Sequence, residues 1–271
     1  MRNKYLYLTL LAVLGWNAEV LGQARTNVAP RLVVNIAIDQ FRGDLLDLFE
    51  SSYNDDGFRK FLEKGMVFEN ATYPFRDLDK ASAISSVVTG TTPFYHSITG
   101  EQWIDRQTLR PVSSTGELLA VSTLSDELKI STQGKGKVFA VASQKNIASL
   151  SAGHAPDGII WNESTKKKWT PVDVTEKALQ CIISQSMGRD TIPDMLFITY
   201  DAGGKDLSTY TLLDQEIAKL LNEIEKFVGE KNTLFVLTST GYSEEHASNY
   251  EKYNIPTGIF YINRAGNLLN M

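Results

Sequence analysis

Two aspartates and one lysine frame the chemistry open to this chain. Asp39 closes the apolar run of RLVVNIAIDQ, and Asp201 closes that of DMLFITYD. A carboxylate at a strand end is a candidate metal ligand, and equally a cap for the helix that follows. Two of them at separate strand ends, with the segment TSTGY from Thr238 at a third, favour a shared site, because function in open α/β sheets gathers at the carboxyl ends of strands. The stretch DLDKASAISSVVTGTTP, from Asp77 to Pro93, has the form of a loop and helix start that would hold a hydrolase nucleophile. Lys80 stands where a hydroxyl or thiol is expected. Ser82, Ser85 and Ser86 lie nearby, but no His–Asp pair can be placed beside them from sequence, so a serine triad is poorly supported. His96, His154 and His246 are the three histidines. Glu244, Glu245 and His246 match no metal-binding spacing and read as a solvated loop. Cys181, the single cysteine, sits in the apolar helical pattern ALQCIISQSM and reads as buried filler rather than nucleophile.

The elements that must position these residues alternate. Leu32 to Ile38 is a nearly continuous β-branched and apolar run, as in a strand buried on both faces. Helical pattern follows in DLLDLFE and GFRKFLEKG, with Gly65 as a stop. MVFENATYPF reads as a short strand entering a loop, and KASAISSVVTG as a small-residue helix closed by Gly90. GKVFAVAS is a strand, VTEKALQCIISQSMG a helix with Asp173 or Thr175 as its cap, and DMLFITYD a strand. LSTYTLLDQEIAKLLNEIEKFVGE is a long amphipathic helix that places Leu213, Ile217, Leu220, Leu221, Ile224 and Phe227 on one face. NTLFVLTST reads as another buried strand and IPTGIFYI as a last one. The alternation predicts one α/β domain, doubly wound around a mostly parallel sheet with helices on both faces.

The chain has 271 residues, 42% of them hydrophobic and 22% charged, which is ordinary globular composition. A formal charge of -5 and the absence of a dense basic block argue against nucleic-acid binding. The start, MRNKYLYLTLLAVLGWNAEVLGQ, has Arg2 and Lys4 before an apolar run from Tyr5 to Trp16, with a small residue at Gly22. It reads as a secretory signal peptide over residues 1–22, leaving a domain over residues 23–271. The expectation is export to the periplasm or cell envelope, with no transmembrane segment after cleavage.

RLVVNIAIDQFRGDLL, GFRKFLEKGMVFENATYPF, SSVVTGTTPFYHSITGEQWIDR, SAGHAPDGIIW and LFITYDAGGKD, taken in order, resemble the type I phosphodiesterase / nucleotide pyrophosphatase branch of the alkaline phosphatase superfamily, particularly its exported bacterial phosphomonoesterases. The resemblance implies a doubly wound α/β fold. It also implies two zinc ions, held by three Asp and three His, that activate a Thr or Ser nucleophile. Carried over position by position, Asp39 and Asp201 match metal ligands. Lys80 falls at the nucleophile position, or Asp79 or Ala81 under a one-residue slip, and Ile84 replaces a ligand His. Glu101 stands in place of a phosphate-contacting Asn; Lys145 matches the Lys of a phosphate-gripping pair whose Arg is Ile147 here. Lys205, Thr240 and Gly241 occupy three further ligand positions. The last ligand and the C-terminal part of the family fold have no counterpart in this sequence.

These departures lead to the expectation of a non-catalytic relative that needs no cofactor and binds a protein or a small anion. A working phosphoric-ester hydrolase with an altered or single-metal site is the alternative, and a remnant without a role of its own is a third. Carboxylates that have lost a metal pair need another counter-ion. The sequence therefore predicts the Lys80 or Lys205 ammonium within salt-bridge distance of Asp39 or Asp201.

Overall fold

A computed structural model describes residues 29–242, apart from residues 77, 165, 166 and 203. Its centre is a sheet of five parallel strands: β1 (Leu32–Asp39), β4 (Val138–Ala142), β5 (Gly158–Ile160), β6 (Asp194–Asp201) and β7 (Thr233–Ser239), in the order β5-β4-β6-β1-β7. A short antiparallel pair, β2 (Gln102–Ile104) and β3 (Pro111–Ser113), stands apart from it.

Helices cover both faces, as the alternation of elements requires; in chain order they begin with α1 (Gly43–Leu48) and α2 (Phe58–Lys64), and α5 (Leu124–Ser131) precedes β4. On one face the inward side of β1, Leu32, Val34, Ile36 and Ile38, packs with residues of α7 (Pro171–Ser184) and α8 (Leu207–Val228) in the larger core. Leu213, Ile217, Leu220, Leu221 and Ile224 of α8 are buried there, which is the stripe its periodicity predicts. On the other face Val138, Ala140 and Ala142 of β4 and Phe197 of β6 pack with α3 (Lys80–Thr89) and α6 (Lys145–Ala152). Ala81, Ser82, Ala83, Ser85 and Ser86 are all buried in α3, so its small side chains let the helix settle close to its neighbours. Gly90 ends α3 in the left-handed region, at φ 67°, where glycine carries no steric penalty.

Four local expectations need correction. MVFENATYPF forms no strand: Met66, Val67 and Phe68 are exposed, and no strand among the described residues takes up their backbone groups. β1 is fully buried only on alternate residues, because the face carrying Val33 and Asn35 is covered less completely. β7 is an edge of the described sheet, with Leu234 and Val236 exposed, rather than a buried strand. Helix α7 is capped by Thr170, which accepts from the Asp173 N–H; Asp173 answers to the Thr170 N–H, so it is the partner in a capping box and not the cap. The IPTGIFYI strand and residues 1–22 lie outside the described residues.

Candidate functional site

Parallel pairing brings the carboxyl ends of the strands to one rim. Asp39 and Asp201 are register partners across β1 and β6, and Ile38 is the partner of Ser239 on β7. The sequence alone could place both aspartates at strand ends, but their adjacency follows from strand order.

Lys80 is the first residue of α3. Asp79 caps that helix: its Oδ1 accepts from the Ala81 and Ser82 N–H groups at 2.8 and 3.3 Å, and Ser82 Oγ accepts from the Asp79 N–H. The other Asp79 oxygen accepts from the Glu101 N–H at 3.2 Å, which ties the turn after α4 (Pro93–His96) to the helix start. So fixed, Lys80 projects over the rim. Its Nζ lies 2.6 Å from Asp201 Oδ1 and 3.0 Å from Asp39 Oδ2, and donates to Gln144 Oε1 at 3.4 Å. Three ammonium protons thus face three oxygens. The Lys80 and Asp39 side chains are 13% and 15% exposed, and Asp201 is 40% exposed, so the pair with Asp39 is shielded and that with Asp201 is partly open to water. Burial favours the neutral amine, but Asp201 and then Asp39 outweigh it and hold the Lys80 pKa above its ordinary value.

The remaining predicted positions divide. Thr240 belongs to the cluster: its Oγ1 donates to Asp39 Oδ1 at 2.7 Å and accepts from the Gln40 N–H at 3.3 Å. Gly241 is close by at φ 79°, where a Cβ would collide with Leu78. Glu101 is half-buried. Burial, then the negative charge of Asp79, push its pKa up against the opposing pull of Lys80. Lys145 is not in the ion-pair cluster; it opens α6 exposed to solvent, with its ammonium 5.0 Å from the centre of the Trp161 ring. Lys205 is exposed and makes no ion pair among the described residues. The predicted ion pair therefore forms through Lys80 alone, and it takes both aspartates. Gln144 and the capping role of Asp79 escaped the sequence reading; a D-x-x-S spacing ahead of the small-residue helix was the available signal for the latter.

Among the described residues no nucleophile is assembled. Ser86 Oγ lies 3.0 Å from His96 Nε2, but His96 Nδ1 accepts from the Ile98 N–H, so the ring proton sits on Nε2 and points at the serine. Ser86 in turn donates to the Ser82 carbonyl. A histidine in that tautomer cannot take the serine proton. Burial pushes the Cys181 thiol up to about 11, so it stays protonated. Glu244, Glu245 and His246 lie outside the described residues.

Comparison with known proteins decides the lineage. The family described as type I phosphodiesterase / nucleotide pyrophosphatase matches residues 33–257. The chain belongs to that family. Among curated relatives of this phosphodiesterase-family chain, alkaline phosphatase PafA of Elizabethkingia meningoseptica is 30% identical over 171 residues, 55% of this chain and 31% of PafA. Alkaline phosphatase PhoV of Synechococcus elongatus is 33% identical over 155 residues, 51% of this chain and 28% of PhoV. The matches thus span about a third of these relatives' lengths. The crystal structure of wild-type PafA superposes with a TM-score of 0.75 at 22% identity, over 89% of this chain and 68% of that one, which establishes the alkaline phosphatase-like fold.

The relatives overturn one expectation. PafA and PhoV are alkaline phosphatases, a metal-dependent class that typically uses zinc, so the reading that the chain needs no cofactor does not stand. Whether its own side chains fit the family's metal pair is a separate question of donor chemistry. Zinc in a structural site takes four ligands, and in a catalytic site at least three from protein. Among the described residues no three His, Cys, Asp or Glu side chains converge in a way that could hold a metal ion. Asp39 and Asp201 supply carboxylates, but an ammonium lies between them and Thr240 occupies the other Asp39 oxygen. The described residues therefore do not fit the two-zinc arrangement.

Proposed function

We propose that this chain is an exported, catalytically silent member of the phosphodiesterase family, made with a leader over residues 1–22 and acting as a binding or structural domain over residues 23–271 in a bacterial envelope. The observation that carries the reading is the Lys80 ammonium engaged by Asp39 and Asp201, at the position the family resemblance gives to the nucleophile. A protonated amine with no lone pair cannot attack phosphorus. Neither the serines of α3 nor Cys181 offers a substitute, since His96, beside Ser86, has its proton directed at that serine and the Cys181 thiol is held neutral.

A protein partner fits the site better than a small anion. The one cation of the cluster already serves two carboxylates, and Glu101 adds a third acidic group within the same field. A phosphate approaching that field meets net repulsion. Export rests on the start of the chain, where Arg2 and Lys4 precede an apolar run from Tyr5 to Trp16.

The test is turnover of nitrophenyl phosphate and bis-nitrophenyl phosphate by the purified chain supplied with zinc. Rates no higher than those of an Asp39→Asn variant are expected. Turnover abolished by Asp39→Asn would instead support a metal-dependent phosphoric-ester hydrolase with an altered site.

A further inference from the structure

The mismatch between the family's metal pair and the donor set of this chain has a specific physical content. Asp39 and Asp201 are register partners at the ends of adjacent strands, so the sheet holds their backbones side by side, and both carboxylates lie within 3.0 Å of one ammonium. Close like charges at a shielded rim need a cation between them. The cation present is covalently attached: Lys80 is fixed at the first turn of α3 by the Asp79 cap, with its ammonium 2.6 and 3.0 Å from the two carboxylates. A tethered ammonium is supplied at high effective concentration and loses no translational freedom on pairing, which favours it over an ion from solution.

We infer that the Lys80 ammonium is a built-in counter-ion that competes with divalent cations for Asp39 and Asp201, and that it tethers the rim of the sheet to α3. This deepens the proposed function and rests on the placement of Lys80 given there. It gives Lys80 a positive role: the side chain ties two strands and one helix together at this rim. It also implies that the affinity of this rim for metal is set by one residue. Removing the ammonium leaves two juxtaposed carboxylates and the Gln144 amide oxygen, a hard oxygen donor set suited to a divalent cation.

The experiment compares the full chain with Lys80→Met, which keeps an unbranched apolar stem and loses the charge. Both are stripped with chelator, then titrated with zinc chloride and, separately, magnesium chloride, while melting temperature and heat of binding are followed. The expected result is a lower melting temperature for Lys80→Met in chelator, and at least tenfold tighter zinc binding than in the parent, with the gain lost in Lys80→Met/Asp39→Asn. Lys80→Arg, which retains the charge, should respond as the parent does. Zinc affinity of Lys80→Met within twofold of the parent, or a gain that survives Asp39→Asn, overturns the inference. If Lys80→Met does not fold in chelator, recovery of a cooperative transition on adding either ion supports competition, and no recovery overturns it. The phosphatase assay is a separate readout. Turnover by the parent would defeat the proposed function, whereas unchanged ion affinity in Lys80→Met would defeat only the competition.

Discussion

The capping aspartate offers a test of how the site is assembled, because two substitutions at Asp79 separate its cap from its bond to the Glu101 N–H. Asp79→Ala removes an N-cap of α3, worth about 1 kcal/mol. It also removes the acceptor of the Glu101 N–H, a bond to a charged group worth roughly 1.5 kcal/mol at the low end suited to a half-buried position. The expected loss is therefore about 2–3 kcal/mol, a fall of roughly 4–12 °C in melting temperature for a domain of this size. Asp79→Asn keeps the cap on its one carbonyl oxygen, but its amide nitrogen cannot accept from the Glu101 N–H, so it loses that bond and the negative charge and should cost only about 1 kcal/mol less than Asp79→Ala, the worth of the cap. The same change removes the second cause of the upward Glu101 shift, so Glu101 should titrate at lower pH in Asp79→Asn than in the parent. Urea unfolding at neutral pH gives the stabilities, read from midpoints at constant slope, and carboxyl NMR gives the titration. If Asn costs as much as Ala, the cap adds nothing to the helix start. If Ala costs less than about 0.5 kcal/mol, within the range of an ordinary surface change, the cap does not hold the site at all.

Two further predictions concern the scaffold. Asp214 of α8 is fully buried, and its carboxylate accepts from the Asn54 N–H, the Asn54 side-chain amide and the Phe58 N–H at 2.7, 2.8 and 2.7 Å, which docks the loop before α2 (Phe58–Lys64) onto α8. Asp214→Ala strands two backbone donors and should cost about 3–5 kcal/mol at roughly 1–3 kcal/mol for each unsatisfied group; a midpoint shift in urea worth less than about 1 kcal/mol would refute this. His154 donates from Nδ1 to Asp126 at 2.7 Å and from Nε2 to the Leu119 carbonyl at 3.0 Å, which requires the imidazolium, and the Asp126 bond raises its pKa. A raised folded pKa stabilises fully below the unfolded value of about 6.5 and loses that contribution as pH rises through the folded value. The parent should therefore out-melt His154→Gln by more at pH 6 than at pH 9; an equal gap at both would refute the ion pair.

The strands of the main sheet were legible wherever burial dictates composition. Val138–Ala142 and Asp194–Asp201 are buried along their length and show as unbroken apolar runs. β7 misled because its composition is that of a core strand while its position in the described sheet is an edge. MVFENATYPF misled because three large apolar residues in succession imitate a strand, although pairing partners and not side chains make one. At the site, Asp39 and Asp201 could be read as strand-end carboxylates, and Lys80 as the unusual residue between them in function. That Lys80 reaches both aspartates while Lys205 reaches neither depends on the direction of the α3 N-terminus over the rim, which no local pattern encodes. Gln144 joined the cluster without notice because a polar residue after a strand has many uses.

The position of Lys80 is itself a conflict that the rim resolves. The first turn of a helix carries about half a positive charge and favours anions, so a lysine there is opposed by roughly 0.3–1 kcal/mol. Gross attraction between unit charges 3 Å apart is about 5 kcal/mol at an effective dielectric of 20. The Asp39 pair is shielded enough to keep a good part of this, while 40% exposure of Asp201 discounts the second pair. Even after desolvation of the ammonium, the carboxylates decide the sign, and Asp79 at the cap reduces the opposing field further. Lys80 stays at the helix start because the rim carboxylates are there. Conversely, neutralising both, as in Asp39→Asn/Asp201→Asn, should release its ammonium to solvent and lower its pKa toward the ordinary lysine value, since the two causes that raise it would be gone. A Lys80 titration by NMR that does not move in that double variant would show that something other than the rim holds the lysine in place.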